Sequence, residues 1–162
     1  MSTASSISSR FQKIRCSKLS TTATLIDGIP VTFIISKLHQ MGPNYLDDKS
    51  TSFAELYVDG IERPFWIHKE WLILQSRFFR EEVFEKVKSH NSIIHIKVPS
   101  PENFESLLEF LYDGNADKLY DTLTQDNYYN VWKNIEFLGL GPEIKAVCIA
   151  FYQNQVELNT RT

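Results

Sequence analysis

His39, His68, His90, His95, Cys16 and Cys148 are the side chains of this chain best suited to acid/base, metal or nucleophilic chemistry, and their spacing assigns them none of it. His90 and His95 lie five apart across a loop-to-strand junction, with no cysteine and no paired carboxylates beside them. A metal site needs three or four converging ligands, so surface histidines are the reading. His68 next to Lys69 has the look of an acid/base pair. A partly buried imidazole that satisfies backbone groups at a helix start is the better reading. Cys148 falls on an apolar helical stripe with no histidine near it in sequence, which reads as a buried, inert thiol. The glycines are scattered singly, so neither a phosphate-cradling loop nor a nucleophile elbow is formed. The expectation is a protein that is not an enzyme, with no catalytic residue, no cofactor and no metal.

What remains is a chain built for binding. Its 162 residues suffice for one domain with one core, and 43% hydrophobic with 23% charged residues is ordinary globular composition. No apolar run approaches the length of a membrane span. Residues 1–26 carry Arg10, Lys13, Arg15 and Lys18 and no acid, a net of +4, which against the total of -3 leaves the remainder at -7. An acidic folded part argues against a phosphate-binding surface, so neither nucleic acid nor membrane is an expected partner. Two cysteines, one in the tail and one on a helix, form no disulfide framework, which suits a reducing compartment, cytoplasmic or nuclear.

The elements that position these residues follow in order. Residues 1–23 are Ser/Thr-rich and basic and read as a disordered tail. Within them Ile7, Phe11 and Ile14 fall at i, i+4, i+7. A weak amphipathic helix that docks on the domain or a partner, and a targeting segment, stay open beside the solvated tail. Residues 24–50 read as an extra strand and loop: the β-branched run predicts an edge strand starting near Val31, and Met41-Gly42-Pro43-Asn44 reads as loop. Residues 53–67 predict a hairpin about a two-residue Asp59-Gly60 turn, with Ile61, Arg63, Phe65 and Ile67 on one face and Trp66 on the other. Trp66 is either an interface residue or packed under the N-terminal segment, the two weighing evenly.

A compact helical corner comes next. Leu72 lies four residues after His68 and shares its face, and Ser76 caps a second helix carrying Phe78 and Phe79. Phe79, Val83 and Val87 repeat every four residues, which leaves Phe84 off the stripe and expected exposed. Residues 93–98 alternate as a strand. Ser100-Pro101 opens a helix with the stripe Phe104, Leu107, Leu108, Leu111, and Thr124 caps another with Tyr128, Val131, Trp132 and Ile135. A last helix carries Ile144, Val147, Cys148 and Phe151. Short strands followed by paired helices predict an α+β domain, a small β-sheet flanked by a cluster of short α-helices.

The corner resembles the BTB/POZ family, whose signature is matched in register by His68, Lys69, Leu72, Ser76 and Phe79. A second block, Phe104, Leu107, Leu108, Phe110, Tyr112 and Gly114, matches the family's helix ending in a Tyr-x-Gly turn. The resemblance spans residues 51–157 and leaves 158–162 as a C-terminal tail. It implies a protein–protein interaction module that self-associates as a homodimer, and it makes a cullin-based ubiquitin ligase the leading specific partner. A homodimeric scaffold, a transcription-linked role and a monomeric adaptor akin to Elongin C are the alternatives. The resemblance places partner docking at Val83, Phe84, Val87, the loop to Ser92 and the Tyr112 turn, and self-association at Trp66, Val31 and Phe33. Three departures stand out. Phe53 occupies the place of the acidic residue that in many dimeric members pairs with the basic residue matching Lys69. Val87-Lys88-Ser89 lacks the acid of the apolar-x-Glu motif of cullin-binding members. No separate substrate-recruiting domain accompanies the BTB-like region.

Overall fold

The structure is a computed structural model that describes residues 25–160. The tail reading for 1–23 and the targeting alternative lie outside the described residues. The described residues open with β1 (Leu25–Ile26) and β2 (Ile29–Pro30), joined by Asp27 and Gly28, both at positive φ (51° and 79°). That is the geometry a two-residue hairpin turn demands.

Residues from Val31 onward form a helix, α1 (Val31–Tyr45), where the sequence predicts a strand and a loop. The β-branched run favours extended backbone locally. Ile34, Leu38, Met41 and Tyr45, however, recur at helical spacing and lie against the core. Tertiary burial of such a face outweighs propensities of a few tenths of a kcal/mol per residue. Pro30 sits just ahead of the first helical residue, and Pro43 falls in the last turn.

A three-stranded sheet of order β4-β3-β5 follows, with β3 (Ala54–Val58) antiparallel to β4 (Phe65–Ile67) and parallel to β5 (Ser92–Ile96). Ala54, Leu56, Val58, Phe65, Ile67, Ile94 and Ile96 are buried on its inner face. The β3–β4 connection takes six residues, 59–64, instead of the expected two. Of Asp59 and Gly60 only the glycine has positive φ (95°), and the Ile61 N–H donates to the Val58 carbonyl at 2.9 Å, so the pair makes a β-turn but not the two-residue hairpin loop. Instead the Asp59 N–H donates to the Ile96 carbonyl at 2.9 Å, which holds the chain along β5 before it turns back.

The helical corner is α2 (Lys69–Gln75), a turn at Ser76, and a π-helical turn over Phe79–Val83. Ser76 does cap this turn: its Oγ accepts the Phe79 N–H at 3.2 Å and donates to the Leu138 carbonyl at 2.7 Å. A 3-10 turn at Pro101–Asn103 leads into α3 (Phe104–Asp113), whose predicted stripe is buried. Ser100 is buried, but its side chain bonds Glu102 and Asn103 side chains and not the helix backbone. The remaining helices are α4 (Ala116–Thr122), α5 (Tyr128–Leu138), α6 (Pro142–Phe151) and α7 (Leu158–Thr160). Asn134 of α5, fully buried, clasps Ser100 by accepting its N–H at 2.9 Å and donating to its carbonyl at 2.7 Å.

Candidate functional site

The signature residues converge on one buried polar corner. His68 precedes α2, and Tyr112 lies in the last turn of α3. The Tyr112 hydroxyl accepts the His68 backbone N–H at 2.8 Å and lies 2.8 Å from His68 Nδ1. Its single proton therefore goes to Nδ1, which leaves the imidazole protonated at Nε2. Nε2–H donates to Thr51 Oγ1 at 2.7 Å, and the Thr51 hydroxyl in turn faces Asp48 Oδ2 at 3.1 Å. The Trp71 indole stacks on the Tyr112 ring at 5.3 Å and 9°. Burial lowers the His68 pKa to about 4, against the smaller opposing pull of Asp48 and Asp47. Burial likewise raises the Tyr112 phenol above its ordinary value.

This is a neutral histidine with both nitrogens engaged, a lock between α2 and α3. It departs from the expectation in one respect. No side-chain bond caps the helix start; the imidazole meets two hydroxyls, and its own backbone N–H is served by Tyr112. The other histidines are placed apart: His39 Nε2 lies 2.8 Å from Gln75 Oε1, His90 packs on Phe53, and His95 stacks on Tyr57. Burial pushes the Cys148 thiol up to about 11.

The expected docking surface is largely interior. Phe84 is 2% exposed, with its ring against Phe53 (5.7 Å) and Phe79 (6.2 Å). The expectation of an exposed Phe84 is thus corrected, and the cause is local. A π turn bonds residue i to i+5, here the Phe84 N–H to the Phe79 carbonyl at 2.9 Å. That spacing rotates Phe84 onto the face of Phe79, where a regular helix would leave it aside. Val83 and Tyr112 are also buried, and Val87 is half-buried against the core. Glu81, Glu82, Glu85, Lys86 and Lys88 are what this region shows to solvent. Phe53 fills the place of the acid and keeps Lys69 nearby by other means, the ammonium lying 5.6 Å from the Phe53 ring centre.

The self-association candidates divide. Phe33 is 54% exposed and Leu25 57%, both in the N-terminal hairpin and helix, while Val31 is partly buried. Lys37 Nζ lies over the Phe33 ring at 5.3 Å. Trp66 is half-buried: the Lys49 ammonium covers its ring at 4.9 Å, and its backbone N–H donates to Asp47 Oδ1 at 2.8 Å. A further surface escapes the sequence reading. Tyr129, Ile149, Tyr152 and Leu158 are exposed apolar residues on the C-terminal helices, and a cleft of about 350 Å³ runs between Tyr128, Trp132 and Tyr152. The available signal was that Tyr129 and Ile149 fall off the stripes that form the core.

A small sheet, a His-Tyr lock and a capped helical corner define an interaction fold of one class. Residues 45–154 match the family model of the BTB/POZ domain, more than half of the chain, and the chain belongs to the BTB/POZ family. Among curated proteins none matches it. Among solved structures it is similar to the BTB domain of zebrafish PATZ1, with a TM-score of 0.50 and 17% identity over 80% of this chain and 91% of that one. At that identity the likeness concerns the fold. The BTB/POZ domain makes the chain a protein–protein interaction module.

Proposed function

We propose that the module self-associates through its N-terminal hairpin and α1, and that a separate surface holds a larger scaffold, a cullin being the candidate the family offers. The observation that carries the first half is the exposure of Leu25 and Phe33, two large apolar side chains within nine residues of each other. Apolar anchors of this kind form the centres of interfaces between copies. Phe53 in place of the usual acid argues for an apolar contact instead of a charged pocket near Lys69. For a cullin, the residues available on the π-turn side are the charged ones, Glu81, Glu85 and Lys88, since Val83 and Phe84 are committed to the core. A cytoplasmic or nuclear location goes with this reading.

Light scattering after size exclusion, across a dilution series, tests the self-association. The full chain is expected to be a dimer, and Phe33→Asp a folded monomer, because Phe33 makes little contact with the core. A wild-type monomer at all concentrations would overturn it and favour a monomeric adaptor akin to Elongin C. A cullin pull-down with the full chain tests the second half.

A further inference from the structure

A groove of about 630 Å³ runs along a second face of α1, away from Phe33 and Lys37. Ile35, Leu74, Phe110 and Ile144 give it an apolar floor, and Asp113 and Glu143 stand at its edge. No lysine or arginine lines it. Asp113 also faces Lys118 at 3.7 Å, and His39 in the wall is bonded to Gln75. At 100° per residue Thr32, Ile35, Ser36 and His39 share one side of α1, whereas Phe33 and Lys37 fall on another.

We propose that this groove is filled by the chain's own N-terminal segment, with Ile7, Phe11 and Ile14 on the apolar floor and Arg10 and Arg15, which flank that stripe, toward Asp113 and Glu143. Three observations fit this occupant. The segment pairs an apolar i, i+4, i+7 stripe with four cations and no acid, and so complements an apolar groove edged by carboxylates. The described chain begins at Leu25, just ahead of α1, and the groove starts at Thr32 on that helix. The tether is short as well. Residues 7–18 as a helix span about 18 Å, and the six residues 19–24 extend up to about 20 Å. A tether this short gives an effective concentration on the order of millimolar, which favours occupation in cis over any equally matched free peptide. The inference does not rest on the self-association reading, because the two use different faces of α1.

The test uses the full chain with a nitroxide on Cys16. Nine residues from Ile7, Cys16 falls on the side opposite the stripe at 100° per residue. The buried Cys148 thiol, pushed up to about 11, does not compete for the label. The amide signals of Gly114 and Gly141, which line the groove, are expected to lose most of their intensity. They should recover it in Phe11→Asp, and in the double variant Asp113→Lys, Glu143→Lys. No loss in the wild-type chain would overturn the proposal, as would a loss that persists in Phe11→Asp. In a mixture of isotope-labelled chain without nitroxide and unlabelled chain with it, no loss is expected. A loss there would mean that the tail of a second copy is the occupant and would equally overturn it. The solution mass leaves these readouts interpretable either way, so failure here and failure of self-association are told apart.

Discussion

Helix α3 is held from two sides by opposite means. On one side α2 reaches it with polar side chains: Gln75 Nε2 donates to the Leu111 carbonyl at 2.6 Å, and His68, just ahead of α2, bonds the Tyr112 hydroxyl. On the other side α1 comes so close that a side chain would not fit. A Cβ built on Gly42 would lie 1.7 Å from the Tyr112 carbonyl oxygen. The same tyrosine thus receives hydrogen bonds through its hydroxyl and a bare backbone through its carbonyl. Trp71 ties the two sides together, since its indole N–H donates to the Leu38 carbonyl of α1 at 2.8 Å while its ring stacks on Tyr112. A contact made of separate bonds can be weakened in steps. A contact made by close approach has no intermediate setting.

That difference can be broken most severely at Gly42. Gly42→Ala should cost at least about 3 kcal/mol, because the clash is with backbone and α1 must move as a unit. Urea unfolding would read the loss, and hydrogen exchange should show it concentrated in residues 31–45. A smaller loss with normal protection would mean that α1 is not held by this contact.

The polar side answers to pH. Burial holds the His68 pKa at about 4 in the folded chain against its ordinary 6.5, so the unfolded chain binds the proton more readily. Its contribution is therefore complete above about pH 6.5 and is lost as pH falls toward 4, by about 3 kcal/mol. Unfolding free energies between pH 7 and 4 check the sign, and the His68 ring resonances should show no titration in the native protein above pH 5.

The mildest probe is Tyr112→Phe. It removes one hydroxyl and leaves the His68 N–H and Nδ1 without partners in a buried place, a loss of about 1–3 kcal/mol at neutral pH. Burial, which is what lowers the His68 pKa, is kept, so the same variant should retain the pH dependence. If the pH dependence disappears as well, the Tyr112 hydroxyl and not burial holds the His68 ring neutral.

The two sides also differ in how much of them could be read beforehand. The corner was legible. His68, Lys69, Leu72, Ser76 and Phe79 lie within twelve residues, and the roles of Leu72, Ser76 and Phe79 follow from local rules of helix spacing and capping. The Ser76 cap, the α3 stripe and the core positions of α5 and α6 are where the spacing put them. The N-terminal unit was not legible. Its residues Val31 to Ile35 favour a strand locally, and packing of the segment on α2 and α3 is what makes a helix worthwhile. Gly42 beside Pro43 reads as a loop because both residues are poor helix formers, and here the missing side chain is what lets two helices meet. Asp-Gly illustrates the same limit twice over. Residues 27 and 28 close a two-residue hairpin, while 59 and 60 form a β-turn inside a six-residue connection in which the Asp59 N–H is bonded to the Ile96 carbonyl of β5.

By itself the sequence determined the family, the α+β class, the helical corner and the lack of a local catalytic motif. Each of these is written in short-range periodicity and in residue types whose behaviour is intrinsic. Only the tertiary structure decided that α1 is a helix, that Phe84 is core and Phe33 surface, and that His68 is neutral and locked to Tyr112. Those outcomes depend on partners 31 to 44 residues away or on a one-residue change of helical phase. Burial and close approach are properties of the assembled chain, and no segment carries them alone.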